Sequence, residues 1–141
     1  LDYDLIMRKA EEQRMKSTSS ALSHATVTTA NNLGAKCIIA PTASGATARV
    51  VSKFKPRTEI IGVTPNEEVM RRMQIYWGVR PLKSIEFTTT EDVCSGAIDL
   101  VVAKQIVETG DVVVLTAGIP SPHFSGQKEG VSNIMRIAVI Q

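Results

Sequence analysis

The chain has 141 residues, 43% of them hydrophobic and 21% charged, which is one ordinary globular domain with enough apolar content for a real core. Sixteen Lys and Arg against fourteen Asp and Glu leave a net charge of only +2. With no basic stripe, charge argues against nucleic acid or an anionic membrane as partner. No apolar run approaches the roughly 18 residues of a membrane helix, and the N-terminus lacks a secretory pattern. Cys37 and Cys94 stand apart from each other in apolar stretches and read as reduced core residues of a cytoplasmic protein.

In chain order, Asp4 to Lys16 reads as a charged amphipathic helix. After the polar break 17–20, a second helix runs from about Ser20 to Asn32, with Leu22, Ala25, Thr29 and Leu33 at helical spacing. Gly34 suits its left-handed end. Cys37 to Ala40 is a short apolar run, read as a buried parallel strand. Pro41 to Thr47 turns out of it into a helix that ends near Phe54 before Pro56. Glu59 to Thr64 is a second strand. Thr64-Pro65-Asn66-Glu67 fits a capping box with Pro at the first helical position, and the spacing directs Val69, Met70, Met73 and Trp77 to the core. Val79 to Leu82 is a weak third strand, placed near an edge by Pro81. A helix starting within 88–92 carries Cys94, Ile98, Val102 and Ile106 every four residues, with Ala97 and Val101 on the same side, and Gly110 closes it. Asp111 to Thr116 is the strongest strand signal, residues 117–132 lack periodicity, and Met135 to Ile140 is the last strand.

Alternating strands and helices predict a single α/β domain over residues 1–141: a three-layer α/β/α sandwich around a five-stranded, mostly parallel sheet. No helix separates the last two strands. A parallel return needs a crossover, so the last strand is expected antiparallel.

The segment Thr42-Ala43-Ser44-Gly45-Ala46-Thr47 follows a strand and opens a helix, the place where open α/β sheets bind ligands. Free amides and the helix dipole favour an anion there. The hydroxyls of Thr42, Ser44 and Thr47 add donors, and Gly45 lets a phosphate oxygen come close to the backbone. The same residues also suit a Ser/Thr-capped helix with no ligand. The loop 117–132 leaves a strand on the same sheet edge. A loop this long is either functional or a mobile surface segment, and Gly118, Ser121 and Lys128, its only cation, are its candidate ligand contacts. Walker, dinucleotide and nucleophile-elbow motifs are absent. His24, His123 and Arg71-Arg72 read as structural or surface residues, and no catalytic or metal-binding residue is assigned.

Five blocks carry a family resemblance: Ile38-Ile39-Ala40-Pro41-Thr42-Ala43-Ser44-Gly45, Lys55-Pro56-Arg57, Ile60-Ile61-Gly62-Val63-Thr64, Gly110 through Gly118, and Asn133-Ile134-Met135-Arg136-Ile137. In this order and spacing the chain resembles the C-terminal domain of pyruvate kinase over essentially its whole length, bacterial members most. The resemblance implies the same sandwich, and a domain that binds a phosphorylated effector and builds one interface of a tetramer. It implies that catalysis, phosphoryl transfer from phosphoenolpyruvate to ADP with Mg²⁺ and K⁺, belongs to a barrel of about 250 residues outside this chain. A start at Leu1 suggests a piece of that longer protein; a free-standing phosphometabolite-binding module is the alternative. The family's effector-phosphate loop corresponds to Thr42 through Thr47. Members activated by fructose 1,6-bisphosphate carry basic residues where Ala43, Ala46 and Val93 stand here. The expected effector is therefore a sugar phosphate or nucleoside monophosphate held mainly by amides and hydroxyls, with no physiological effector as the alternative.

Overall fold

A computed structural model describes residues 2–6, 9, 18–118 and 133–141. Residues 3–6 form a helical turn inside the first predicted helix, in which the Leu5 amide donates to the Asp2 carboxylate; Lys9 is also helical, and residues 7, 8 and 10–16 of that helix lie outside the described residues. The elements that follow are α1 (Thr18–Leu33), β1 (Cys37–Pro41), α2 (Ala46–Lys53), β2 (Glu59–Thr64), α3 (Glu67–Met73), β3 (Val79–Lys83), α4 (Thr90–Ala103), β4 (Val112–Ala117) and β5 (Ile134–Val139).

The five strands form one sheet in the order β3-β2-β1-β4-β5. The pairs β1–β2, β1–β4 and β2–β3 are parallel, and β4–β5 is antiparallel, as the missing crossover helix requires. Alternate strand residues point to opposite faces, and the core divides accordingly. Cys37, Ile39, Ile61, Val63, Val113 and Leu115 pack with Cys94, Ala97 and Val101 of α4 on one face. Ile38, Ala40, Ile60 and Val114 pack with α1, α2 and α3 on the other. Both cysteines are free and buried. Burial pushes the Cys37 thiol up to about 12, with the Glu59 and Asp111 carboxylates adding to the shift, and burial also pushes the Cys94 thiol up.

Three helix faces differ from the sequence reading. In α1 the buried residues are Ser23, Thr26, Val27 and Ala30, while Ala25 is exposed and Leu33 is 46% exposed. The small residues let the helix lie close to β4 and α2; the Thr26 hydroxyl is satisfied by donating to the Leu22 carbonyl at 2.8 Å. In α4 the buried residues are Cys94, Ala97 and Val101, and Val102 is exposed. A spacing of four drifts about 40° per step around a helix of 3.6 residues per turn, so the series Cys94, Ile98, Val102 rotates off the core. Helix α3 stops at Met73, and Trp77, beyond it, is 52% exposed rather than buried. Its cap is the side chain of Asn66, which accepts from the Val69 amide; Thr64 instead accepts from the Asn66 amide at 3.3 Å.

Pro81 sits on the edge strand β3 opposite Gly62. The Ser84 amide donates to the Thr64 carbonyl, so by strand alternation the Pro81 nitrogen faces away from β2, where no ladder bond is lost. Gly62 lets Met73 pack against β2: a Cβ at Gly62 would lie 2.6 Å from Met73 Sδ and 3.1 Å from its Cε, and Met73 is fully buried. Gly62→Ala is therefore expected to cost about 1–3 kcal/mol through overpacking, read as a lowered midpoint in urea unfolding with unchanged m-value.

Candidate functional site at the carboxyl ends of β1 and β4

From β1 the chain runs outward through β2 to β3, then returns to pair β4 on the other side of β1. The strand order therefore reverses between β1 and β4, and the carboxyl ends there leave the crevice typical of open α/β sheets. A cleft of about 190 Å³ occupies this place. Pro41, Thr42 and Ala43 after β1 and Ala117 and Gly118 at the end of β4 line it, with Val63 and Pro65 from β2 and its exit. Val93 of α4 and Ser84, Glu86 and Phe87 of the β3–α4 linker complete it.

The loop after β1 is held by its own bonds. The Thr42 amide donates to the Val63 carbonyl at 2.8 Å, which ties the loop to β2. The Thr42 hydroxyl oxygen accepts from the Gly45 amide at 2.8 Å, and the Ser44 hydroxyl oxygen accepts from the Ala46 amide at 3.3 Å. Among the described residues the amides of Ala43 and Ser44 have no hydrogen-bond partner. The Thr47 hydroxyl, in the first turn of α2, is buried and also without a partner among them, a costly state for a polar group.

Gly45 has a structural role as well. It is the N-terminal cap of α2 in a left-handed conformation, φ +87°, with no side-chain cap. A Cβ there would sit 3.4 Å from both Met73 Cγ and Val69 Cγ1. Glycine is thus required by the turn and by packing on α3, and the helix is not Ser/Thr-capped.

Of the residues expected to contact a ligand, Thr42, Ala43 and Gly118 line the cleft. Ser44 is exposed on the loop, Ala46 is half-buried, and Gly45 and Thr47 are buried beneath it. Ser121, Lys128 and His123 lie outside the described residues. Val93, the position where bisphosphate-activated members carry a cation, does line the cleft. Sequence reasoning missed Pro65, Ser84, Glu86 and Phe87, although a linker leaving a strand's carboxyl end is the place to look for such residues. It also missed Arg72, whose guanidinium reaches the Ser44 carbonyl at 3.5 Å; only packing of α3 against the loop reveals it. His24 is an exposed residue of α1, with its ring 5.4 Å from that of Phe54.

Among the described lining residues the only charged side chain is Glu86. Attraction for an anion must come from amides, hydroxyls, the α2 dipole and Arg72 at the loop's outer side. Among the described residues no group of three or more His, Cys, Asp or Glu side chains could hold a metal ion, and no helix is long and apolar enough to cross a membrane.

The family model described as the pyruvate kinase alpha/beta domain matches residues 20–138. The chain belongs to this pyruvate kinase domain family. It is 35% identical over 141 residues to a pyruvate kinase of Clostridium acetobutylicum, covering all of this chain and 29% of that relative. It is 34% identical over 139 residues to one of Staphylococcus saprophyticus and 35% identical over 140 residues to one of Geobacillus stearothermophilus, covering 99% of this chain and 23% of each relative. The chain thus spans about a quarter of the length of these pyruvate kinases. The five-stranded sheet with one antiparallel pair agrees with the fold that the family resemblance implies.

The bond from the Gly45 amide to Thr42 is buried, so removing its acceptor leaves that donor unsatisfied. Thr42→Val, nearly isosteric, is expected to destabilise the domain by about 1–3 kcal/mol. Differential scanning calorimetry checks this against Ser44→Ala, whose exposed 3.3 Å bond is expected to cost less than about 1 kcal/mol.

Proposed function

We propose that this chain is the effector-binding and subunit-interface domain of a pyruvate kinase, and that it holds the phosphate of a monophosphorylated metabolite in the cleft between the ends of β1 and β4. The observation that carries the reading is the conjunction at one strand-order reversal of an open cleft, the unpartnered amides of Ala43 and Ser44, and the buried, unpartnered Thr47 hydroxyl. Phosphate oxygens are acceptors that suit such donors at a helix N-terminus. Glu86, as the only charged lining side chain among the described residues, favours one phosphate over two. The whole protein transfers the phosphoryl group of phosphoenolpyruvate to ADP, with Mg²⁺ and K⁺ in a catalytic barrel. A barrel needs more chain than the 141 residues here, and no residue of this chain is assigned to either ion or to the chemistry.

Ribose 5-phosphate and glucose 6-phosphate are expected to raise the melting temperature, as ligands selective for the folded state do. Ala43→Asp, which places a carboxylate in the cleft, is expected to weaken ribose 5-phosphate binding at least about tenfold. Val93→Arg is expected to shift preference toward fructose 1,6-bisphosphate by on the order of tenfold. Calorimetric titration reads all three. Tightest binding of the bisphosphate by the unmodified chain, lost in Lys128→Ala, contradicts the reading.

The interface role rests on β5. Ile134, Ala138 and Ile140 face the α4 layer, which leaves Met135, Ile137 and Val139 on the other face, 36%, 49% and 59% exposed. This apolar row lies on an edge strand with one unpaired side, where an antiparallel second copy obeys a two-fold axis. The double variant Ile137→Lys with Val139→Lys is expected to shift sedimentation toward the monomer, while Trp77→Lys, on the opposite half of the sheet, leaves it unchanged.

A further inference from the structure

We infer that the groove beside Trp77, on the turn between α3 and β3, is the surface on which the rest of the pyruvate kinase polypeptide seats this domain. The inference rests on the pyruvate kinase reading and adds the docking surface. Trp77 is 52% exposed, and Ile75, on the same turn, is 80% exposed. Trp77 borders a groove of about 430 Å³, so its exposure is not that of an isolated surface residue. Tryptophan is also enriched among the residues that carry interface energy. The turn is fixed. The amides of Gln74, Ile75 and Tyr76 donate to the carbonyls of Arg71, Arg72 and Met73. The Ile60 amide donates to the Gly78 carbonyl, which ties the turn to β2. The Ser52 hydroxyl donates to the Trp77 carbonyl at 2.6 Å, which ties it to α2. An anchor held in advance loses little entropy on docking.

The groove has an apolar part and a basic part. Pro56, Tyr76 and Val79 line it beside Trp77, and its charged side chains are Arg57, Glu59 and Arg80. Glu59 is engaged by Arg80 at 2.6 Å. Arg57 has no ion-pair partner among the described residues, so one guanidinium of the groove is uncompensated. The surface suits a partner with an apolar socket for the indole and a carboxylate for Arg57. A second copy is the poorer occupant, because a two-fold axis sets this basic surface against itself. The chain covers only 29% and 23% of its pyruvate kinase relatives, so most of such a protein lies outside it and packs around it. The position is compatible with the other two surfaces. The turn lies at the amino end of β3, on the sheet edge opposite β5. A body seated there leaves the carboxyl-end cleft open and the β5 edge free. Pro81 removes a strand donor from the β3 edge, so contact on this side is made by side chains.

Maleimide labelling of an introduced cysteine tests this, because Cys37 and Cys94 are buried. Gln74→Cys puts a thiol at an exposed position of the groove. Ile85→Cys puts one at a position that is 75% exposed and lines a different groove. Both are expected to react at comparable rates in the 141-residue chain. In the whole polypeptide that carries this domain, with the label located by peptide mass mapping, the rate at position 74 is expected to fall at least about tenfold relative to position 85, because docked anchors exclude water. The fall is expected at every protein concentration. A fall at position 74 no greater than that at position 85 overturns the inference, and phosphoenolpyruvate turnover by the same polypeptide then leaves the pyruvate kinase reading standing. Protection lost on dilution assigns the groove to a second copy and overturns the inference as well. A polypeptide with no barrel beside these residues overturns both.

Discussion

Strand β1 is hydrogen-bonded on both sides, to β2 and to β4, and the chain visits those neighbours on opposite passes. This reversal is the constraint on which the rest of the molecule depends. It puts β1 at the centre, with all five of its residues buried, and it leaves a cleft at the adjoining carboxyl ends of β1 and β4. The same fact accounts for the core and for the opening above it.

The opening stays ordered because its near wall is tied from below. Met73 packs against the space left by Gly62 and also approaches the Cα of Gly45, so one buried side chain links β2, α3 and the loop. Thr42 adds a bond to β2 through its amide and a bond across the loop through its hydroxyl. Polar groups spent in this way hold the backbone in shape. The amides of Ala43 and Ser44 and the Thr47 hydroxyl have no partner among the described residues.

Most of the architecture was legible in the sequence because the strands are short, apolar and punctuated. Cys37–Pro41, Glu59–Thr64 and Val112–Ala117 needed no tertiary information, and Pro81 marked an edge strand through its missing donor. Helix faces were harder. In α1 the apolar residues Leu22 and Leu33 drew the reading away from Ser23, Thr26 and Ala30, which are buried because they are small enough for close packing. Trp77 looked like core by spacing, but α3 ends before it at Met73. At the site, the β1 loop was visible as a strand-to-helix turn rich in hydroxyls. Phe87 and Arg72 were not, because their positions depend on how the 84–88 linker and α3 fold back on that loop. Gly45 was visible as the glycine of the turn, but its left-handed φ and its packing against α3, which exclude a side chain, were not.

The two edges of the sheet are chemically unequal. On β3 the outward-facing position 81 is a proline, which has no N–H to offer an incoming strand. On β5 every outward amide is intact. Strand addition thus has one donor fewer at the β3 edge than at the β5 edge. Were two such sheets joined at their β5 edges, a ten-stranded unit with a proline-bearing strand at each limit would result, and further growth by the same route would be disfavoured.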